Sequence, residues 1–349
     1  MHLGAGHRRG QINIYDDFKE DERFAQLVRS KTRPGDQVHL IFNGDIFDLL
    51  KVQVMGKFSE SITERLAKIK LFRCLRGHPV FVKAIRRFLE DENNVVHFQP
   101  GNHDMELFFT GAQQLLCHAL TDELEHPRVI FHAKEPFFEL DGVQFHHGHQ
   151  FEAIHAMDFT RLVLPRPNRD PILNLPWGSL FVLNVVNELV RERPYLDKVH
   201  PFWPLFVGGM IIDTRFTTKM IATSLSALIQ ARLNPNWWKK RPFEKLTKFL
   251  RSEIGFFESL DHQAAKILHA QPNIRAVFMG HTHVPKLRGH RNGVYINTGT
   301  WVPMVDLNLG RLGQRLEIHY GWIEWTASGP HASLHRWHGK TPESEEVIA

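Results

Sequence analysis

The sequence has little that could cross-link or anchor it. Two cysteines, Cys74 and Cys117, occur in 349 residues. They are too few and too far apart for a disulfide framework or a zinc ribbon, which points to a reducing compartment with both thiols filling apolar space. No run of about 18 uninterrupted apolar residues is present. The most apolar stretch, Ile172 to Val190, is broken by Asn174, Pro176, Gly178, Asn184, Asn187 and Glu188. A membrane-spanning helix is therefore not expected. No apolar signal core follows Met1-His2-Leu3-Gly4, so the expected location is the cytoplasm. Internal repeats are lacking as well.

What is present is the composition of a folded chain. Hydrophobic residues make up 42% and charged residues 23%, ordinary values that exclude disordered and fibrous classes. The length suits one large α/β core with an insertion, or two domains. Formal net charge is +5, and it is unevenly placed. Arg161 to Leu260 holds 15 Lys and Arg against 8 Asp and Glu, leaving the remainder slightly acidic. A basic middle suits an anionic lipid surface, a nucleotide or nucleic acid, and equally a solvated face with no partner.

Gln37 to Phe42 is a short apolar run opened by Pro34-Gly35-Asp36 and closed by Asn43-Gly44, the pattern of a buried strand. Val95 to Phe98, before Pro100-Gly101, reads the same way. Between them Phe81, Ile85, Phe88 and Leu89 recur at helical spacing, giving a strand, helix, strand unit. Val129 to Phe131, Phe137 to Leu140 and Val143 to Phe145 continue the strands, with Asp141-Gly142 as a hairpin turn. After Phe151 strand signals stop for about 120 residues. Two helical faces stand in that stretch, one of Ile221, Leu225, Leu228 and Ile229, the other of Phe257, Leu260, Ala264 and Leu268. Strands resume at Ile274 to Met279, Val294 to Ile296 and Leu316 to Trp325. The expected organisation is a core of residues 1–151 and 269–335, a helical insertion at 152–268, and a polar tail at 336–349 that is disordered from Thr341 on.

Four strings follow these strands: Gly44-Asp45-Ile46-Phe47-Asp48, Gly101-Asn102-His103-Asp104, His147-Gly148 and Gly280-His281-Thr282-His283. In α/β sheets, ligands collect beyond the carboxyl ends of strands, so four such strings can converge on one site. Each alone is weak, being far more often a turn; four in order are a metal-ligand signature. Asp45 can bridge two cations about 3.5–4 Å apart. Asn102, His147 and His281 then complete one position, and His2 with His283 the other. This mixed nitrogen and oxygen set suits two divalent ions, with manganese first and iron or zinc as alternatives. His281 and His283, alternate residues of an extended segment, are expected to point the same way. His103 is the candidate general acid, with Asp104 orienting its imidazole. Asp48 is a candidate outer acceptor or helix cap, and His149 an outer or substrate contact. His146 reads as structural, and His97, His118, His126, His132 and His155 read as solvated or ordinarily hydrogen-bonded.

The strings resemble the calcineurin-like metallophosphoesterases, in which Asp-x-His near the N-terminus precedes Gly-Asp-x-x-Asp, Gly-Asn-His-Asp/Glu, His-Gly and Gly-His-x-His. The resemblance covers residues 1–150 and 270–303. It implies a four-layer αββα sandwich, two mixed β-sheets flanked by helices, with a dinuclear site at the strand ends and phosphoester hydrolysis by metal-activated hydroxide. Asn297-Thr298-Gly299-Thr300-Trp301 resembles the branch that contains UDP-diacylglucosamine diphosphatase, although that enzyme has Arg where this chain has His103.

The pattern departs at the start. His2-Leu3-Gly4 matches the tail of an Asp-x-His-Leu-Gly motif whose aspartate would precede Met1, and the family's fold has an apolar strand there. A start placed too late is one expectation; a truncated chain with an exposed sheet edge is the other. Trp237-Trp238-Lys239-Lys240-Arg241 has the texture of a membrane-surface contact, and no nucleic-acid module is visible. The substrate expected is therefore a phosphorylated small molecule or a lipid-linked phosphodiester or diphosphate, met at the inner membrane surface. The alternatives are a soluble nucleotide phosphodiesterase or phosphomonoesterase, and a binding scaffold of the same fold.

Overall fold

The computed structural model describes residues 1–7, 12–33, 35–200, 208–233, 260–306, 313–339 and 345–348. Trp237 to Arg241 and Phe257 lie outside them. The protein is an α/β structure with mixed sheets. Strands β1 (His39–Asn43), β2 (Val95–Gln99) and β3 (Val129–Phe131) form a parallel sheet. Helices α1 (Asp21–Lys31), α2 (Glu64–Gly77), α3 (Pro79–Phe88) and α4 (Thr110–Thr121) lie on one side of it. A second sheet has the order β10-β11-β9-β5-β4, built from β4 (Phe137–Leu140), β5 (Val143–His146), β9 (Ala276–Met279), β10 (Pro285–His290) and β11 (Gly293–Thr298).

Period-two alternation decides what faces what. Phe42 and Phe98 stack on each other and turn to the helices, where the Phe42 ring lies beside those of Phe24 and Phe81. Their neighbours Ile41 and His97 turn to the second sheet, whose Phe138, Phe145 and Phe278 rings stack in a row. The far face of that sheet buries Val277, Met279 and Tyr295 under the helix Leu260–Ala270. His39, His97 and His132 form a hydrogen-bonded chain between the sheets. Burial and mutual repulsion hold His97 down to about 3, so the chain is neutral.

The insertion differs from its expected all-helical texture. It contains a hairpin, β6 (Val163–Arg166) with β7 (Arg169–Leu173), and a short strand β8 (Val199–His200) paired with β12 (Met304–Asp306). Leu173, Leu175, Leu180 and Leu183 join the main apolar core. The hairpin was illegible because Pro165, Pro167 and Pro171 interrupt its alternation. The polar tail also differs. After β13 (Gly313–Arg315), which pairs with β12, β14 (His319–Thr326) pairs with β15 (Gly329–Trp337), which pairs on its other edge with β16 (Glu345–Ile348).

Among the described residues β1 pairs only with β2, and β14 only with β15. A cavity of about 1460 Å³ is lined continuously by Gln37 to Ile46 on one side and His319 to Trp325 on the other, with Met1 and His2 at its end. β1 and β14 thus line one space. The chain leaves that space in parallel register with the segment after β1: Met1 and His2 donate to the Asp45 carbonyl, Leu3 to Ile46, and Asp48 to Leu3.

Candidate metal centre

The site is assembled where strands end. β1 runs into Gly44-Asp45, β2 into Gly101-Asn102-His103, β5 into His147, and β9 into Gly280-His281. Two glycines permit the convergence. A Cβ on Gly101 would lie 2.2 Å from Asp45 Oδ1, and one on Gly44 the same distance from His147 Nδ1. His2, Asp45, His281 and His283 have φ of 63°, 49°, 67° and 60°, left-handed backbone that costs energy in non-glycine residues and persists where surrounding contacts over-determine it. The extended geometry expected for His281 and His283 is therefore not found. Their left-handed turn sends the rings to different neighbours.

His2 Nε2 lies 2.8 Å from His283 Nε2 and 3.8 Å from Asp45 Oδ2. His147 Nε2 lies 3.0 Å from Asp45 Oδ2 and 3.2 Å from Asn102 Oδ1. Its Nδ1 is occupied by the Asn43 carbonyl at 2.9 Å, which turns Nε2 toward the cluster. The donor atoms of His2, Asp45 and His103 lie within 4.8 Å of one another, as do those of Asp45, His147 and His281, and those of Glu152, His155 and His281. Asp45 belongs to two of these groups, which is the arrangement a carboxylate shared by two cations needs. Burial holds His2 well below the usual imidazole range, with His283 adding to the effect, so its lone pair is available. Burial opposes ionisation of Asp45, but His147 and His103 outweigh it and hold the carboxyl well below its usual range. Buried nitrogen and oxygen donors facing one another fit divalent metals.

His103 is placed differently from the ring nitrogens around it. Its Nδ1 donates to Asp48 Oδ1 at 2.8 Å, and its backbone N–H donates to Asp45 Oδ1 at 2.9 Å. The side chain is 18% exposed against 2% for His147, so it sits at the mouth. Burial pulls its pKa down, but Asp48 and Asp45 outweigh this and raise it to about 9. Asp104 does not orient this ring. It accepts from the backbone N–H groups of Gly101, Ile46 and Phe47, tying two ligand loops together. The orienting carboxylate is Asp48, whose other oxygen lies 3.4 Å from Lys51 Nζ, with Asp17 and Asp197 completing that ion cluster.

His149 lies 0% exposed beside His147, and neither ring nitrogen has a partner among the described residues. His155, expected to be ordinary, stands 5.1 Å from the His281 ring. Glu152 was not singled out at all. Its signal was the spacing Glu152-x-x-His155 four positions after Gly148, which puts both side chains on one face of a helical turn. His146 is structural, bonded to Gln144 and Gln150.

No protein-family profile matches the chain, and no curated protein matches it. Among solved structures, the crystal structure of a Vps29 double mutant from Entamoeba histolytica is similar over 25% of this chain and 44% of that one, less than half its length. The identity is 15% and the TM-score 0.18. That likeness is too slight to assign a family.

Proposed function

We propose that the protein is a dinuclear metal-dependent phosphohydrolase with the four-layer αββα architecture that its motifs resemble. The observation that carries this reading is Asp45, buried and shared between two donor groups, with the His103 imidazole at their mouth. His2, Asp45 and His283 would hold one cation, and Asp45, Asn102, His147 and His281 the other. Such a pair supplies charge for phosphoryl oxygens and lowers the pKa of water. The chain's own part is positioning and proton transfer. Asp48 keeps the proton of His103 on Nδ1, leaving Nε2 to donate to the departing oxygen, and the raised pKa keeps the imidazole charged at neutral pH. Asp104 fixes the loops that present Asp45 and Asn102.

The substrate class proposed is a phosphodiester or diphosphate, lipid-linked or nucleotide. A lipid-facing role is favoured by the insertion, where Ile211 and Ile212 are 80% and 88% exposed and Leu225 and Ile229 more than half exposed. No helix among the described residues is long and apolar enough to cross a membrane, so such a contact would be peripheral. The test is hydrolysis of an activated aryl phosphodiester after chelator treatment, with and without manganese. Turnover restored by manganese is expected. Metal binding without hydrolysis of diester, monoester or diphosphate would move the protein to the scaffold reading.

A further inference from the structure

His281 reaches the metal centre on a strained backbone, at the end of a short strand, with 7% of its side chain exposed. Something must fix which of its ring nitrogens faces inward. For His147 that role falls to a neutral acceptor, the Asn43 carbonyl on Nδ1. For His281 the corresponding acceptor is a carboxylate. Gly148, at φ 112°, turns the chain after β5 into a single helical turn, His149 to Phe151. Glu152 follows, with Oε2 2.9 Å from His281 Nε2. Because a carboxylate only accepts, the proton stands on Nε2 and the lone pair on Nδ1.

A second imidazole backs the carboxylate. His155 Nε2 lies 3.9 Å from the same Oε2. Its ring cannot retreat, because it packs on Gly178, where a Cβ would stand 2.5 Å from Nδ1. Glu152, 36% exposed, is paired with His281, and the His155 ring stands next to it beyond hydrogen-bond reach.

We propose that Glu152, backed by His155, is a positioning residue that orients His281 for its cation and strengthens it as a donor. This rests on the reading that Asp45, Asn102, His147 and His281 hold a divalent metal. A carboxylate behind a ligating imidazole fixes the tautomer and raises its basicity, and losing such a partner typically weakens metal binding about 10–100-fold.

The test is cobalt(II) titration of the full chain, followed by calorimetry and the visible absorption of the bound ion. Glu152→Ala is expected to weaken one of two cobalt positions by about 10–100-fold and change its spectrum, leaving the other position alone. Glu152→Gln keeps an acceptor oxygen and should recover part of the loss; His155→Ala should cost less than Glu152→Ala. Circular dichroism before titration shows that each variant is folded. Wild-type affinity and spectrum in folded Glu152→Ala would overturn the proposal. So would a third cobalt in the wild type that both Glu152→Ala and His155→Ala abolish, since Glu152 would then be a ligand. Absence of cobalt binding by the wild type would instead remove the metal reading beneath it.

Discussion

His103→Ala is expected to lower kcat by about 10²–10⁴-fold, the range for losing a positioned general acid, while the protein keeps its full metal content. The two readouts together are decisive because the imidazole has two possible roles. Its donor atoms lie near those of His2 and Asp45, so proximity alone would allow a ligand. Against that, Nδ1 is committed to Asp48, and the ring is more exposed than His2, His147 or His281. Equal loss of metal and turnover would make it a ligand. The pH profile gives a second check with a definite sign. The folded pKa is raised to about 9, so the acid form is lost only as pH climbs through that value. Asp48→Asn removes the main attraction, and the alkaline limb should move down by roughly 1–3 units. A limb that stays in place would assign it to another group.

Asp45→Asn is expected to weaken both cation positions, by on the order of 100-fold or more, beyond the loss of an outer partner, and to reduce turnover at least as far as His103→Ala. The substitution is close to isosteric, which matters here. Gly101 approaches Asp45 so closely that no added atom is tolerated, and the His103 N–H needs an acceptor at Oδ1. Asparagine meets both demands and lacks the second anionic oxygen that a bridge requires. Metal content by mass spectrometry is the measurement, and unchanged stoichiometry would refute the shared carboxylate.

The strings after β1, β2, β5 and β9 were legible because each side chain sits within a few residues of a strand whose apolar run marks its end. The partner of His103 was not. Adjacency suggested Asp104, whereas the ring turns to Asp48, 55 positions earlier, and Asp104 is used up by three backbone donors. Nor did spacing show that His281 and His283 diverge, since a φ near 60° in a histidine is imposed by contacts made elsewhere.

By itself the sequence determined the order of strands around the site, the donor types that could meet there, and the absence of a disulfide framework. These depend on periodicity, residue chemistry and counts, which are local. Only the tertiary structure decided which carboxylate orients which imidazole, that Glu152 and His155 lie behind His281, that Leu173, Leu175, Leu180 and Leu183 enter the main core, and that β1 and β14 line one cavity. Those are contacts between residues tens to hundreds of positions apart. The path of the loops between them fixes such contacts, and no pattern within any one segment records that path.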